Sequence, residues 1–182
     1  MNRRGFTLVE VITALSIIMV GIVGAFQLVS QSLAASNSAS MQLTAAYLGK
    51  EGIEIVRNIR DDNYLKYIFN ETGYDSDATC WMSGLSQNGI PISKDCSAGC
   101  AADYTMRALD TAYVGQNLKF DGNFFNYTAG SATPYRRIIT ITPKPSVLDT
   151  DYLNVLIEVR WTDRGKARSF KIQENLYNTW PQ

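Results

Sequence analysis

Gly5-Phe6-Thr7-Leu8-Val9-Glu10, with the nearly unbroken apolar run Val11–Val29 behind it, decides how this chain is read. Neither Asp, Glu, Lys nor Arg occurs between Glu10 and Lys50. About 20 apolar residues are what a helix needs to cross a bilayer core of about 30 Å. Arg3 and Arg4 stand just before the run. Basic residues there hold the N-terminus in the cytoplasm, so the rest of the chain is expected on the far side of the membrane.

Three readings compete for this segment. An ordinary secretory signal would be cut near Ser32-Leu33-Ala34, but the run is longer than the roughly 7–15 residues of a usual signal core. A plain uncut anchor gains nothing from Glu10, because an acid in a spanning helix is unfavourable and calls for a partner. The third reading is a cut between Gly5 and Phe6, which leaves the apolar run in the mature protein. It frees an α-amino group four residues upstream of Glu10, roughly 6 Å along a helix. In a bundle of staggered copies, the amine of one chain can meet Glu10 of the next, neutralising both charges and setting the stagger.

With these residues in view, Gly5-Phe6-Thr7-Leu8-Val9-Glu10 resembles the class III signal of type IV pilins and type II secretion pseudopilins. The resemblance implies that a prepilin peptidase and methyltransferase cuts after Gly5 and methylates Phe6, and that Glu10 orders assembly. Many pilins carry a proline inside this helix, whereas here the first proline is Pro91 and only Gly21 and Gly24 soften it. Gly49-Lys50-Glu51-Gly52-Ile53-Glu54-Ile55-Val56-Arg57-Asn58-Ile59-Arg60, and the C-terminal Val159-Arg160-Trp161-Thr162-Asp163-Arg164-Gly165-Lys166 with Leu176-Tyr177-Asn178-Thr179-Trp180, are similar to minor pilins of the pilus-modification type. The function so implied is that of a minor pilin. The alternatives are a pseudopilin of type II secretion, a DNA-uptake filament subunit, or a secreted or tethered binding domain with an ordinary signal. The expected partners are the peptidase, other pilin subunits and the membrane, with neither a small-molecule substrate nor a nucleic acid. The expected location is the bacterial cytoplasmic membrane, single-pass with the N-terminus inside, then a cell-surface or periplasmic filament.

Downstream of the run, the small polar stretch from Gln31 to Ser40 holds alanines and neither Gly nor Pro, which favours continued helix. Ala45, Leu48, Gly52, Ile55 and Ile59 recur at helical spacing as one apolar stripe. One helix from about Phe6 to Arg60 is predicted, ending at Asp61-Asp62-Asn63. The stripe is read as core that needs a sheet to cover it. Tyr135–Thr142 is β-branched, and Val155, Ile157, Val159 and Trp161 alternate with mostly polar neighbours. A turn at Asp163-Arg164-Gly165-Lys166 leads to Ser169–Leu176, with Phe170, Ile172 and Leu176 on one face. These segments predict a three-stranded antiparallel meander joined through Pro143-Lys144-Pro145. The fold class is therefore α+β: a long N-terminal helix, transmembrane in its first half, packed on an antiparallel β-sheet head. The divisions are a leader at 1–5, a spanning half-helix at 6–30, an amphipathic half at 31–62, an irregular cysteine-bearing region at 63–133 and the sheet at 134–182.

The rest of the composition excludes more than it specifies. Lys plus Arg and Asp plus Glu are each 17, so no global charge attracts a polyanion. Histidine is absent, which removes the commonest general base and metal ligand, and no catalytic constellation stands in its place. No cofactor or metal is expected. Cys80, Cys96 and Cys100 all lie in the loop-rich stretch. Outside the cytoplasm two of them are expected to form a disulfide, with the pairing open. Asp61-Asp62 and Asp121-Gly122-Asn123 are read as solvated turns rather than calcium loops, lacking the EF-hand pattern.

Overall fold

A computed structural model describes residues 5, 7–74, 79–144 and 152–178. The chain divides into two compact units, Met1–Met41 and Gln42–Gln182. The fold is α+β, with one long helix, α1 (Leu8–Ile68), and antiparallel sheets in the C-terminal part. The helix continues eight residues beyond Arg60. Asp61 and Asp62 do not stop it, because each meets a cation on the same helix, Arg60 and Lys66 respectively. Asn63 faces inward instead, and its side-chain amide donates to the carbonyls of Trp81 and Ser83 at 3.2 and 2.8 Å.

Within the second unit, the helix packs on a sheet of order β4-β5-β6: β4 (Arg136–Lys144), β5 (Tyr152–Asp163) and β6 (Lys166–Tyr177). The Pro143-Lys144-Pro145 connection falls largely outside the described residues. Val155, Ile157, Val159 and Trp161 are buried beneath the stripe Ala45, Leu48, Gly52, Ile55 and Ile59, which is buried in full. Gly49 and Gly52 let the two layers approach. A Cβ on Gly52 would lie 2.6 Å from Ile157 Cδ1, and one on Gly49 would lie 3.1 Å from Phe170 Cε1. Each glycine costs a helix interior about 1 kcal/mol relative to alanine, which the closer packing offsets. The hairpin between β5 and β6 turns at Arg164 and Gly165, both with positive φ (50° and 76°).

One basic residue goes to the core. Arg137 is fully buried, donating to the carbonyls of Leu48 and Ala102 at 3.1 and 2.7 Å and pairing with Glu51 at 3.2 Å. It ties the helix, the sheet and the loop region together through one planar donor.

The irregular region is packed rather than loose. Trp81, Leu85, Leu109 and Leu118 are buried in it. It holds a short 3₁₀ turn at Cys80–Met82 and a small sheet of order β2-β1-β3: β1 (Lys119–Phe120), β2 (Phe125–Asn126) and β3 (Ser131–Ala132). Cys100 exchanges both backbone hydrogen bonds with Ile139, and the Ile141 amide donates to Cys96 O. This segment thereby covers the outer edge of β4, while β6 stays an edge strand. Cys96 and Cys100 are joined in a disulfide, which staples that covering segment, and Cys80 is buried outside it.

Candidate assembly site at the helix N-terminus

Thr7 begins the helix. Its hydroxyl accepts the Glu10 amide at 3.3 Å, and its carbonyl accepts the Val11 amide. Thr7 and Glu10 stand at N-cap and N3, the spacing of a capping box. The first-turn position also suits a carboxylate electrostatically, since the helix N-terminus carries partial positive charge. This capping role of Thr7 was not part of the reading from charge alone, though the Thr-x-x-Glu spacing is compatible with it.

The capping contact leaves the carboxylate itself available. Glu10 is exposed, and among the described residues no cation lies within ion-pair distance of it. Around and beyond it, Leu8, Val9, Val11, Ile12, Leu15 and Ile17 are all exposed. The most apolar window of the helix has none of its residues buried, and the helix is long and apolar enough to cross a membrane. Two of its hydroxyls are satisfied inside the helix: Thr13 donates to Glu10 O at 3.0 Å and Ser16 to Ile12 O at 2.8 Å. Such back-bonding is what a hydroxyl needs where there is no water to bond.

Gly5 is exposed, and a Cβ there would meet nothing within 4 Å. The fold therefore makes no demand for glycine at this position. Phe6 and the basic leader Met1–Arg4 lie outside the described residues.

The other candidates resolve into structure. Asp121 is a turn residue whose carboxyl is held below the usual range by the amides of Phe124 and Asn123. Among the described residues no group of three or more cysteine or carboxylate side chains is placed to hold a metal.

A long apolar stretch with an exposed acid in its first turn fits a membrane-anchored helix. Residues 1–26 match the prokaryotic N-terminal methylation motif, and the match covers that segment alone. No curated protein and no solved structure gave a match to the chain.

Proposed function

We propose that the protein is a minor pilin, a structural subunit of a type IV pilus-like filament. Cleavage after Gly5 would free the amine of Phe6, which becomes methylated. In the assembled fibre, that amine on one copy would meet Glu10 on its neighbour. The observation that carries this reading is a carboxylate at the head of an apolar helix with no described cation in reach. A buried or membrane-embedded acid is strongly unfavourable without a counter-charge, and the only one the processed segment gains is its new terminus. The open space around Gly5 fits the same view, because the need for glycine then arises in an enzyme's cleft and not in this fold.

Mass spectrometry of the mature chain tests the processing: a methylated Phe6 start supports the proposal, whereas a start near Ala35 replaces it with secretion. Glu10 is tested by two variants. Glu10→Ala removes the side chain and its charge, while Glu10→Gln keeps its length and removes only the charge; the Thr7 cap, made to the backbone amide, stays in both. Both are expected to be cleaved normally and to enter filaments at least tenfold less often. Normal incorporation of Glu10→Gln would show that assembly does not use the charge of Glu10.

A further inference from the structure

We infer that the hairpin end of the head is a second membrane-contact surface, which binds anionic lipid headgroups while the subunit waits in the bilayer. The claim goes beyond filament assembly and needs only the membrane anchoring of the apolar helix.

The fold gathers cations that the sequence keeps apart. Arg136 and Arg160 are direct cross-strand partners, although like charges placed opposite one another are destabilising. Arg164, Lys166 and Arg168 follow around the turn, and all five side chains are exposed. Arg160 is shared with Glu158, which also draws Lys171. Arg164, Lys166 and Arg168 have no carboxylate within ion-pair distance among the described residues. Asp121 and Asp163 are the other acids of this end, and Asp163 is buried.

Arg164 carries a second signal. A two-residue hairpin loop with positive φ at both positions favours Asn, Asp or Gly at the first, yet the residue there is arginine at φ 50°. Local strain of this kind collects where function requires a particular side chain.

The same end of the unit exposes aromatics. Tyr47, Phe120 and Phe124 are exposed, and a groove between helix and loop is lined by Thr44, Tyr47, Leu48, Glu51, Phe120 and Phe125. Ring contacts run from Phe120 to Phe125, to Tyr135 and to Trp161 beside the hairpin. Aromatic rings beside lysines and arginines are the composition of a bilayer interface.

Position selects the occupant. Gly49 packs on Phe170, and Arg57, two turns later, pairs with Glu174. The hairpin therefore lies at the end of the unit where the chain enters at Gln42. Strand rise carries the turn roughly 16 Å beyond Phe170, while helix rise takes Gln42 only roughly 10 Å back from Gly49. Exposed cations and aromatic rings at the end where the chain enters this unit are complementary to the phosphates of anionic lipid headgroups.

The test uses the full precursor in nanodiscs of phosphatidylcholine alone or with phosphatidylglycerol. Amide hydrogen exchange is followed over residues 163–169, where β6 has outward amides with no strand to pair them. Phosphatidylglycerol should slow this exchange, and 0.5 M salt should reverse the effect. Each cation engaged should contribute roughly fivefold. The triple variant R164N/K166Q/R168Q should lose the slowing; Asn suits the turn, and an unchanged melting temperature in neutral discs shows that the hairpin still folds. Exchange that ignores phosphatidylglycerol, or slowing that survives in the triple variant, overturns the inference. So does slowing produced by duplex DNA or by rising protein concentration but not by phosphatidylglycerol. None of these outcomes touches the mass of the mature N-terminus, so failure here is distinct from failure of the pilin reading.

Discussion

Gly52→Ala should destabilise the head even though alanine is the better helix former. The added methyl would sit 2.6 Å from Ile157 Cδ1, 3.1 Å from Arg137 Cδ and 3.2 Å from Ile157 Cγ2. Ordinary carbon contacts lie near 3.5–4.0 Å, so Ile157 must give by most of an ångström. It has nowhere to go: it is fully buried on the central strand, between Ile139 and Ile172. Overpacking of this kind costs about 1–3 kcal/mol, against a propensity gain of about 1 kcal/mol. The net loss is about 1 kcal/mol, or roughly 2–6 °C in Tm for a unit of this size. Thermal melting of the full chain in detergent reads it, with Ile157→Val as the second arm. That change removes Cδ1 and alone costs about 0.5–1.5 kcal/mol. Combined with Gly52→Ala it relieves the clash, so the double variant should be more stable than the sum of the two losses by about 1 kcal/mol. A raised Tm for Gly52→Ala, or strict additivity in the cycle, would refute the close-packing argument.

Asn63→Ala removes two buried hydrogen bonds and strands the carbonyls of Trp81 and Ser83. About 1–3 kcal/mol should be lost, and exchange at residues 80–86 should accelerate more than exchange in β5. Glu158 is held below its usual pKa by the Arg160 hydrogen bond first, opposed by burial, with the charges of Arg160 and Lys171 lowering it further. A lowered folded-state pKa contributes stability that is present above the unfolded value, about 4.3, and is lost as pH falls through the folded one. Glu158→Gln should therefore flatten the acid limb of the stability curve below pH about 4 and lower stability near neutrality, as followed by denaturant melts across pH.

Features carried by periodicity were legible in the sequence. The apolar run, the helical stripe from Ala45 to Ile59 and the alternation of Val155 to Trp161 each repeat with the period of their element, so every residue adds to the same inference. The antiparallel meander followed because a Gly-containing turn joined two such segments. Helix length was misread at Asp61-Asp62, since a pair of acids resembles a stop only when their i,i+4 and neighbouring cations are ignored. The loop region was opaque for a different reason. Its order comes from contacts across long separations, such as Cys100 with Ile139 and Leu118 with Tyr135, and no local period announces these. Arg137 shows the same limit: strand alternation sends it to the core and the adjacent Arg136 to solvent.

The glycines separate the two uses of the helix. Gly21 and Gly24 have nothing within 4 Å of a Cβ, whereas Gly49 and Gly52 are crowded by the sheet. In the second pair the fold itself accounts for glycine. In the first pair, as at Gly5, it does not, so any demand for a missing side chain there must come from another molecule. The same division runs through the charges. Arg57, Arg60, Lys66 and Arg137 each meet a carboxylate within the chain, while Glu10 meets none among the described residues. The apolar helix lacks two things: cover for its side chains and a counter-charge for its one acid. A bundle of identical or related helices with freed N-termini supplies both at once. A bilayer alone supplies only the first, so the proposed processing and assembly would account for Glu10 where anchoring would not.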